Sequence, residues 1–153
     1  MRCNYLFFSV LILSGCGFSP PRDPSGPGRS PEMVFQALAV AGVPYRWGGE
    51  SPENGFDCSG LVAHVYREAF GVQLPHNARE QSRMGRAVSS SELIAGDLVF
   101  YNTELPYSHV GIYLGDDRVI HAPRPGAAVR VENMRTRYWL TRFNGARRIP
   151  IAD

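Results

Sequence analysis

Residues 57–71, DCSGLVAHVYREAFG, decide how this chain folds. Asp57 is a residue type that caps helices, and the apolar residues after it recur at helical spacing until Gly71. The stretch therefore predicts a helix that begins just after Asp57 and carries Cys58 in its first turn.

The pattern on either side of this helix predicts the rest of the fold. Upstream, a first helix is predicted with Ser30 as its N-cap and Pro31 at its first position. Gly42 lies just past its apolar-rich residues, Met33 to Ala41. Downstream, a short helix is predicted over Asn77 to Met84, and the apolar period then changes to two. This alternation predicts strands at Leu98 to Tyr101, His109 to Leu114, Val119 to Ala122 and Ala128 to Val131, with a further one at Ala146 to Ile151. Helices followed by strands indicate an α+β domain with an antiparallel sheet.

Composition excludes several classes of protein. The chain has 153 residues, of which 44% are hydrophobic and 20% charged, typical of one globular domain. Its sixteen cationic residues are all arginine, they are scattered, and they exceed the fourteen acidic residues only slightly. We therefore expect no nucleic-acid partner. Three cysteines, two of them near the N-terminus, predict no disulfide framework.

The first thirty residues have the features of an export signal and a tether. A short basic start precedes an apolar run, Tyr5 to Leu13, that is far too short to span a membrane. The run ends in Leu13-Ser14-Gly15-Cys16, which resembles the lipobox of bacterial lipoproteins. Residues 1–15 are therefore predicted to be a signal peptide and Cys16 the lipidated residue, followed to residue 30 by a Pro/Gly/Ser-rich tether. The alternative is an ordinary signal peptide in which Cys16 occurs by chance.

Three residues of the domain could carry catalysis: Cys58, His109 and His121. The start of a helix favours a thiolate, although the neighbouring Asp57 opposes it. A thiol nucleophile also needs a base, and that base needs an orienting partner. A two-residue turn at residues 116–117 would place the two histidines on opposite faces of a hairpin. A longer turn or a bulge would place them on the same face, so the sequence permits the pair without deciding it.

The cysteine and the histidines also have interpretations other than catalysis. A lone cysteine such as Cys58 is most often a small buried hydrophobe. One cysteine with two dispersed histidines lacks the closely spaced ligand pairs of zinc sites, so no metal is predicted. A glycosidase requires two carboxylates on either side of the scissile bond, and no acidic residues of the sequence carry a signal for such a pair. His64 and His76 are predicted to be surface or hydrogen-bonded histidines rather than bases.

Five ordered motifs resemble the NlpC-type family of cell-wall cysteine peptidases, over residues 31 to 153. They are Pro44-Tyr45-Arg46-Trp47-Gly48-Gly49, Asp57-Cys58-Ser59-Gly60-Leu61-Val62, Gly96-Asp97-Leu98-Val99-Phe100, His109-Val110-Gly111-Ile112-Tyr113-Leu114-Gly115 and Ile120-His121-Ala122. The resemblance implies a reduced papain-like fold, with N-terminal helices packed on an antiparallel sheet. It also implies hydrolysis of peptide bonds in peptidoglycan by a Cys-His-His mechanism without a cofactor.

The resemblance further assigns roles residue by residue. It implies Cys58 as nucleophile, His109 as general base and His121 as the residue that orients it. Tyr45 matches a tyrosine of the oxyanion site, and Asp57 and Ser59 match positions near the substrate. His76 departs from the arginine usual after Leu-Pro in close relatives, which leaves substrate contacts there open.

The sequence leaves two alternatives about function open. The residues do not distinguish a D,D crosslink ending in diaminopimelate from a γ-D-glutamyl bond within one stem. A catalytically silent murein-binding lipoprotein on the same fold is the alternative, although such a protein would not need the three catalytic residues. We expect a monomer, anchored by lipid at the periplasmic face of the outer membrane because Gly17 follows Cys16.

Overall fold

The computed structural model describes residues 31–151, so the predicted signal peptide, lipidated Cys16 and tether lie outside the described residues. Within these residues there are four α-helices, α1 Pro31–Ala39, α2 Cys58–Phe70, α3 Ala78–Gln81 and α4 Arg137–Leu140, and a short 3-10 helix at Ser90–Glu92. The strands are β1 Glu50–Ser51, β2 Gly55–Phe56, β3 Arg86–Val88, β4 Leu98–Tyr101, β5 His109–Gly115, β6 Arg118–His121, β7 Arg130–Asn133 and β8 Phe143–Arg148. None of the helices within residues 31–151 has the length and apolar character that a membrane span requires.

The main sheet has six strands in the order β3-β8-β4-β5-β6-β7, and all of its neighbouring pairs are antiparallel. The short strands β1 and β2 form a separate antiparallel pair. Helices α1 and α2 pack together, and α2 packs against β5. The predicted α+β class with an antiparallel sheet is confirmed.

Helix α2 begins and ends where the sequence predicts. Asp57 is its N-cap and accepts a hydrogen bond from the Gly60 N–H, while Gly71 ends it in the left-handed conformation with φ 66°. Its apolar face, which includes Leu61 and Val65, is fully buried. Burial of such side chains stabilises the fold by about 1.5–3 kcal/mol each, so the helix that carries Cys58 is anchored along its length.

The opposite face of the sheet has its own apolar cluster, centred on Trp139 of α4. Tyr101, Tyr113 and Val119 belong to this cluster. Neither α4 nor β3 was predicted, because each is too short to show a period in the sequence. The cluster matters for function because it forms the surroundings of the two strand histidines.

Several predicted boundaries differ from the structure. Helix α1 begins at Pro31, as predicted, and ends at Ala39, two residues before the predicted end. Helix α3 covers only Ala78–Gln81 of the predicted Asn77 to Met84. The fourth predicted strand lies two residues later, as β7, since Ala128 pairs with Pro44 outside the named strands. The last strand ends at Arg148, before Pro150, whose missing N–H cannot continue a ladder.

A buried ion pair ties the start of β4 to the end of β8. Arg148 donates from Nε and Nη2 to the two carboxylate oxygens of Asp97, each at 2.7 Å. Asp97 is 1% exposed and also accepts from the Ile94 N–H. Two parallel charge-assisted hydrogen bonds fix direction as well as distance, so this pair aligns the strands on which the site depends.

Candidate active site

Cys58 occupies the first position of α2 as a free, half-buried thiol. The backbone N–H of Val110, next to His109 on β5, lies near enough to the sulfur to favour its thiolate form. Burial is the main cause that raises the pKa of the thiol, and the nearby Asp57 carboxylate adds to it, while the backbone N–H groups of Val110 and Ser59 act in the opposite direction; the resulting pKa is about 11. The predicted preference of the helix start for thiolate is therefore outweighed, and the resting thiol is neutral at pH 7.

A β-bulge decides on which face the two histidines lie. The turn between β5 and β6 has two residues, Asp116 and Asp117, both with positive φ. By itself this turn would place the histidines on opposite faces, but the register shifts by one residue between Tyr113 and Gly115. The bulge is the alternative that the sequence left open, and it brings His109 and His121 to the same face.

The two histidines are hydrogen-bonded to each other. His109 Nε2 and His121 Nδ1 lie 2.8 Å apart, and both rings contact Trp139. His109 is 4% exposed, and burial together with the charge of His121 lowers its pKa to about 3. Burial also lowers the pKa of His121, to about 4. Both rings are therefore neutral at pH 7, and a neutral imidazole can accept a proton.

Gly111 makes room for this pair. It lies between the two histidines on the same face, and a Cβ built there would be 2.5 Å from Val119 Cγ1 and 3.3 Å from His121 Cβ. A larger residue would therefore crowd Val119, the Ile120 carbonyl oxygen at 3.0 Å and the His121 side chain at its Cβ. The glycine in His109-Val110-Gly111 is required by packing.

Glu132 on β7 is a site residue that the sequence analysis missed. Its Oε2 accepts a hydrogen bond from Trp139 Nε1 at 2.6 Å, and its Oε1 accepts from Arg130 and lies 3.6 Å from His121 Nε2. Burial alone would raise the pKa of Glu132, but the bonds from Trp139 and Arg130 lower it overall. A carboxylate at this distance favours the tautomer with a proton on His121 Nε2. No sequence signal marks Glu132, since eleven residues separate it from His121.

That tautomer determines which ring atom can serve as base. With its proton on Nε2, His121 presents Nδ1 as an acceptor, so His109 must donate from its own Nε2. The lone pair of His109 is then on Nδ1. Within residues 31–151 no direct hydrogen bond joins the Cys58 sulfur to His109. The Val110 N–H, next to His109 in the chain, lies near the sulfur and so places the start of β5 beside the thiol.

Asp57 organises the loop around the thiol. One carboxylate oxygen accepts from the Gly60 N–H at 2.7 Å and from the Ser59 hydroxyl at 3.1 Å, and the other accepts from the Gly48 N–H at 3.0 Å. His76 Nε2 lies 2.9 Å from the first oxygen. The structure thus gives Asp57 a capping and loop-holding role, and a role toward substrate remains a prediction for it.

Glycine is required at the last position of Asp57-Cys58-Ser59-Gly60 for a steric reason. A Cβ on Gly60 would lie 2.0 Å from the carbonyl oxygen of Gly49, which accepts the Asp57 N–H. The glycine-rich loop therefore packs directly on the first turn of α2. This contact fixes the loop beside Cys58.

The other predicted site residues take different positions. Tyr45 is half-buried; burial raises its pKa most, and Cys58, Asp57 and Glu104 add to the rise, so its phenol lies near the thiol. Ser59 is buried and directed to Asp57, and its carbonyl accepts from Gln81. A place for Tyr45 in an oxyanion site and for Ser59 near substrate stays a prediction.

The two remaining histidines have structural partners. His76 contacts Glu50 at 3.3 Å as well as Asp57, so it closes one side of the glycine-rich loop. His64 packs on Phe56 and contacts Arg67. Within residues 31–151 no three His, Cys, Asp or Glu side chains are grouped to hold a metal ion.

An open groove of about 520 Å³ begins at His109. Its lining includes the aromatic residues Tyr138 and Trp139 and the charged residues Glu104, Arg124 and Arg130. The groove gives a ligand access to the histidine pair from solvent.

Comparison with known proteins gives consistent matches. A model of the NlpC/P60 family matches residues 42–148. The chain is 44% identical over 108 residues to murein DD-endopeptidase MepS/murein LD-carboxypeptidase of Escherichia coli, covering 71% of this chain and 56% of that protein. It is 41% identical over 112 residues to murein DD-endopeptidase MepH of Escherichia coli strain K12, covering 71% of this chain and 41% of that one. The chain thus spans about half the length of these relatives.

Solved structures agree with the sequence matches. The NlpC/p60 domain of the peptidoglycan hydrolase SagA superposes with a TM-score of 0.68 at 36% identity, covering 77% of this chain and 97% of that one. An NlpC/P60 family protein from Bacillus cereus superposes with a TM-score of 0.71 at 34% identity, covering 76% of this chain and 39% of that one. With its thiol at a helix start and its histidine pair on the adjoining strands, the chain belongs to the NlpC/P60 family.

Proposed function

We propose that this protein is a murein endopeptidase that hydrolyses peptide bonds in peptidoglycan with Cys58 as nucleophile. The observation that carries the proposal is the histidine pair held at 2.8 Å on β5 and β6, with Cys58 at the start of the helix that packs against β5. The names of the relatives, murein endopeptidases and a peptidoglycan hydrolase, support the substrate class.

The first chemical step forms an acyl-enzyme. The thiol proton passes to Nδ1 of His109 as the sulfur attacks the scissile carbonyl carbon. The neutral resting state of both groups means that the proton moves when substrate arrives, because the low pKa of His109 disfavours a preformed ion pair. The C–N bond then breaks, and His109 returns the proton to the leaving amine.

The second step releases the product. Water gives a proton to His109 and attacks the thioester carbonyl carbon. The C–S bond then breaks, which frees the carboxylic acid, and His109 returns the proton to the sulfur to restore the thiol. Throughout both steps the carbonyl oxygen carries negative charge, which the Cys58 N–H and the Tyr45 hydroxyl stabilise in this proposal. His121 holds the His109 ring in place. In this proposal Asp57 and Ser59 lie near the bound substrate.

The proposal includes the N-terminal segment. Residues 1–15 act as an export signal, Cys16 receives lipid, and the tether to residue 30 lets the peptidase domain of residues 31–153 reach murein from the membrane. The protein is then a monomeric lipoprotein of the cell envelope at the periplasmic face of the outer membrane.

Mass analysis of muropeptides tests the activity. Purified sacculi are incubated with the wild-type chain, with Cys58→Ser, and with His64→Ala as a control for a histidine outside the site. We expect new soluble muropeptides from the wild type and from His64→Ala, and none from Cys58→Ser. Equal digestion by Cys58→Ser would refute the mechanism, and an undigested sacculus with the wild type would refute the activity.

A further inference from the structure

Helix α4 carries a tryptophan across the sheet that holds the histidine pair. Strand β7 lies at one edge of the sheet, and β8, the strand that follows α4, lies on the far side of β6, β5 and β4. The connection from β7 to β8 must therefore cross these three strands, and α4 is part of that connection. Trp139 is the buried residue of α4, and it packs on the face of the sheet that α4 crosses.

Trp139 contacts one side chain from each of four neighbouring strands. Its ring is stacked on that of His109 of β5, with centroids 5.7 Å apart and an interplanar angle of 18°. It meets His121 of β6 edge to face at 5.0 Å, and its centroid lies 4.7 Å from that of Tyr101 of β4. Its Nε1–H donates a hydrogen bond to Oε2 of Glu132 on β7 at 2.6 Å. One side chain thus touches both histidines and the carboxylate beside them.

The hydrogen bond from Trp139 holds the Glu132 carboxylate on the side of the histidines. The other partner of that carboxylate is Arg130, whose side chain is half-exposed, whereas Trp139 is buried. A carboxylate held by Arg130 alone would turn toward solvent, because burial costs a charged group its hydration. The Trp139 N–H therefore keeps Glu132 Oε1 at its distance of 3.6 Å from His121 Nε2.

The stacked ring of Trp139 also restricts the base. It covers one face of the buried His109 ring, so that ring has little freedom to rotate. Rotation would break the 2.8 Å hydrogen bond between His109 Nε2 and His121 Nδ1. The aromatic ring and the N–H of Trp139 thus act on the same pair, and a substitution can separate their effects.

We propose that Trp139 is a positioning residue for the hydrolysis: its N–H holds Glu132 beside His121, which keeps the proton of each neutral ring on Nε2 and leaves His109 Nδ1 free. The inference rests on the proposed function and extends it to a residue that acts through Glu132. A substitution that keeps an aromatic ring at position 139 but removes the N–H should therefore disturb the tautomers of both histidines.

Nuclear magnetic resonance tests this role without turnover. The Cys58→Ser chain is labelled with ¹⁵N-histidine, because bare and protonated ring nitrogens resonate far apart. At pH 7 we expect His109 and His121 to carry their protons on Nε2 in this chain, and a mixture of tautomers once Trp139→Phe is added. Tyr113→Phe is the matched control: it removes one hydrogen bond from an aromatic residue of the same cluster, and the single tautomer should persist.

A second variant guards against a change in folding. Circular dichroism checks the fold of Trp139→Phe, and a chain with benzothienylalanine at position 139, where sulfur replaces the N–H in a ring of the same shape, should give the same mixture. Another tautomer in the parent chain, or an unchanged tautomer without the N–H, overturns the proposal.

Steady-state kinetics on a soluble crosslinked muropeptide tests the link to catalysis. We expect Trp139→Phe to lower kcat by the same several-fold factor as Glu132→Gln, with little change in KM. The double variant should be no slower than Glu132→Gln alone, because both changes remove one shared interaction. Losses that multiply in the double variant, or a raised KM at unchanged kcat, overturn the proposal. If the wild type cleaves no peptide while the tautomers respond as expected, the proposed function fails and the positioning by Trp139 stands.

Discussion

His121 Nε2 lies 3.6 Å from Glu132 Oε1, and this distance links the histidine pair to a carboxylate on the next strand. His121 is 2% exposed, and none of residues 31–151 forms a hydrogen bond with its Nε2. A proton on that nitrogen faces negative charge, whereas a lone pair would be repelled by it. Glu132 therefore stabilises the tautomer that leaves the lone pair of His109 on Nδ1, the atom that we propose as the base.

Replacing Glu132 tests this positioning role. Glu132→Gln keeps a hydrogen-bond acceptor for Trp139 but removes the charge, so we expect kcat to fall several-fold, with little change in KM or stability. The pH dependence of kcat should shift as well, because the charge that supports a proton on His121 is lost. Steady-state kinetics from pH 5 to 9 measures this. An unchanged kcat and pH profile, matching those of the exposed control Glu68→Gln, would contradict the role.

His121 is expected to be replaceable by an amide but not by alanine. His121→Gln or His121→Asn can still accept the hydrogen bond from His109 Nε2, whereas His121→Ala cannot. We expect alanine to lower kcat by about 100-fold or more, and the amides to retain part of the activity. Circular dichroism checks that the fold is kept, and equal loss in the alanine and amide variants would argue against an orienting role.

The neutral resting thiol gives a pH prediction. With a pKa of about 11, the Cys58 thiolate fraction rises tenfold with each pH unit from 6 to 9. In a chain carrying Cys3→Ser and Cys16→Ser, Cys58 is the sole thiol. The rate of alkylation by iodoacetamide should therefore rise over this whole range without a plateau. A plateau starting below pH 7 would indicate a preformed thiolate and imidazolium pair instead.

The Asp97–Arg148 pair should contribute strongly to stability. Asp97→Asn leaves the guanidinium with one neutral acceptor in a buried place, and breaking a buried pair costs about 3 kcal/mol or more. Asp116→Asn is the matched control, because its pair with Arg118 is exposed on both sides. Unfolding in urea measures both variants. An equal free energy of unfolding for the two variants would mean that the buried pair stabilises the fold no more than the exposed pair does.

Lipidation at Cys16 is tested directly. Radiolabelled fatty acid should enter the wild-type chain during growth and should not enter Cys16→Ser. The prediction follows from Leu13-Ser14-Gly15-Cys16 before a proline-rich tether. Cys3→Ser serves as a control, since Cys3 lies within the predicted signal peptide. Labelling of Cys16→Ser to the level of the wild type would show that the lipobox interpretation is wrong.

The sequence by itself determined the α+β class, the helix over residues 58–70 and the strands that carry the two histidines. These features depend on local signals: a capping residue, a terminating glycine, and apolar residues whose spacing changes from helical to alternating. The Cys58 position at the helix start follows from the same signals. The boundaries of α1, β7 and β8 were less accurate, because contacts between distant segments decide where hydrogen-bonded pairing begins and ends.

The tertiary structure alone decided how these residues act together. One extra residue in β5 brought His109 and His121 to one face, and a pattern of alternation cannot locate such a bulge. Pairing of β6 with β7 brought Glu132 beside His121 across eleven residues of sequence. Burial, which depends on the whole packed domain, raised the pKa of Cys58 against the effect of the helix start. Local sequence places each group on its element, and long-range packing sets its distance, tautomer and charge.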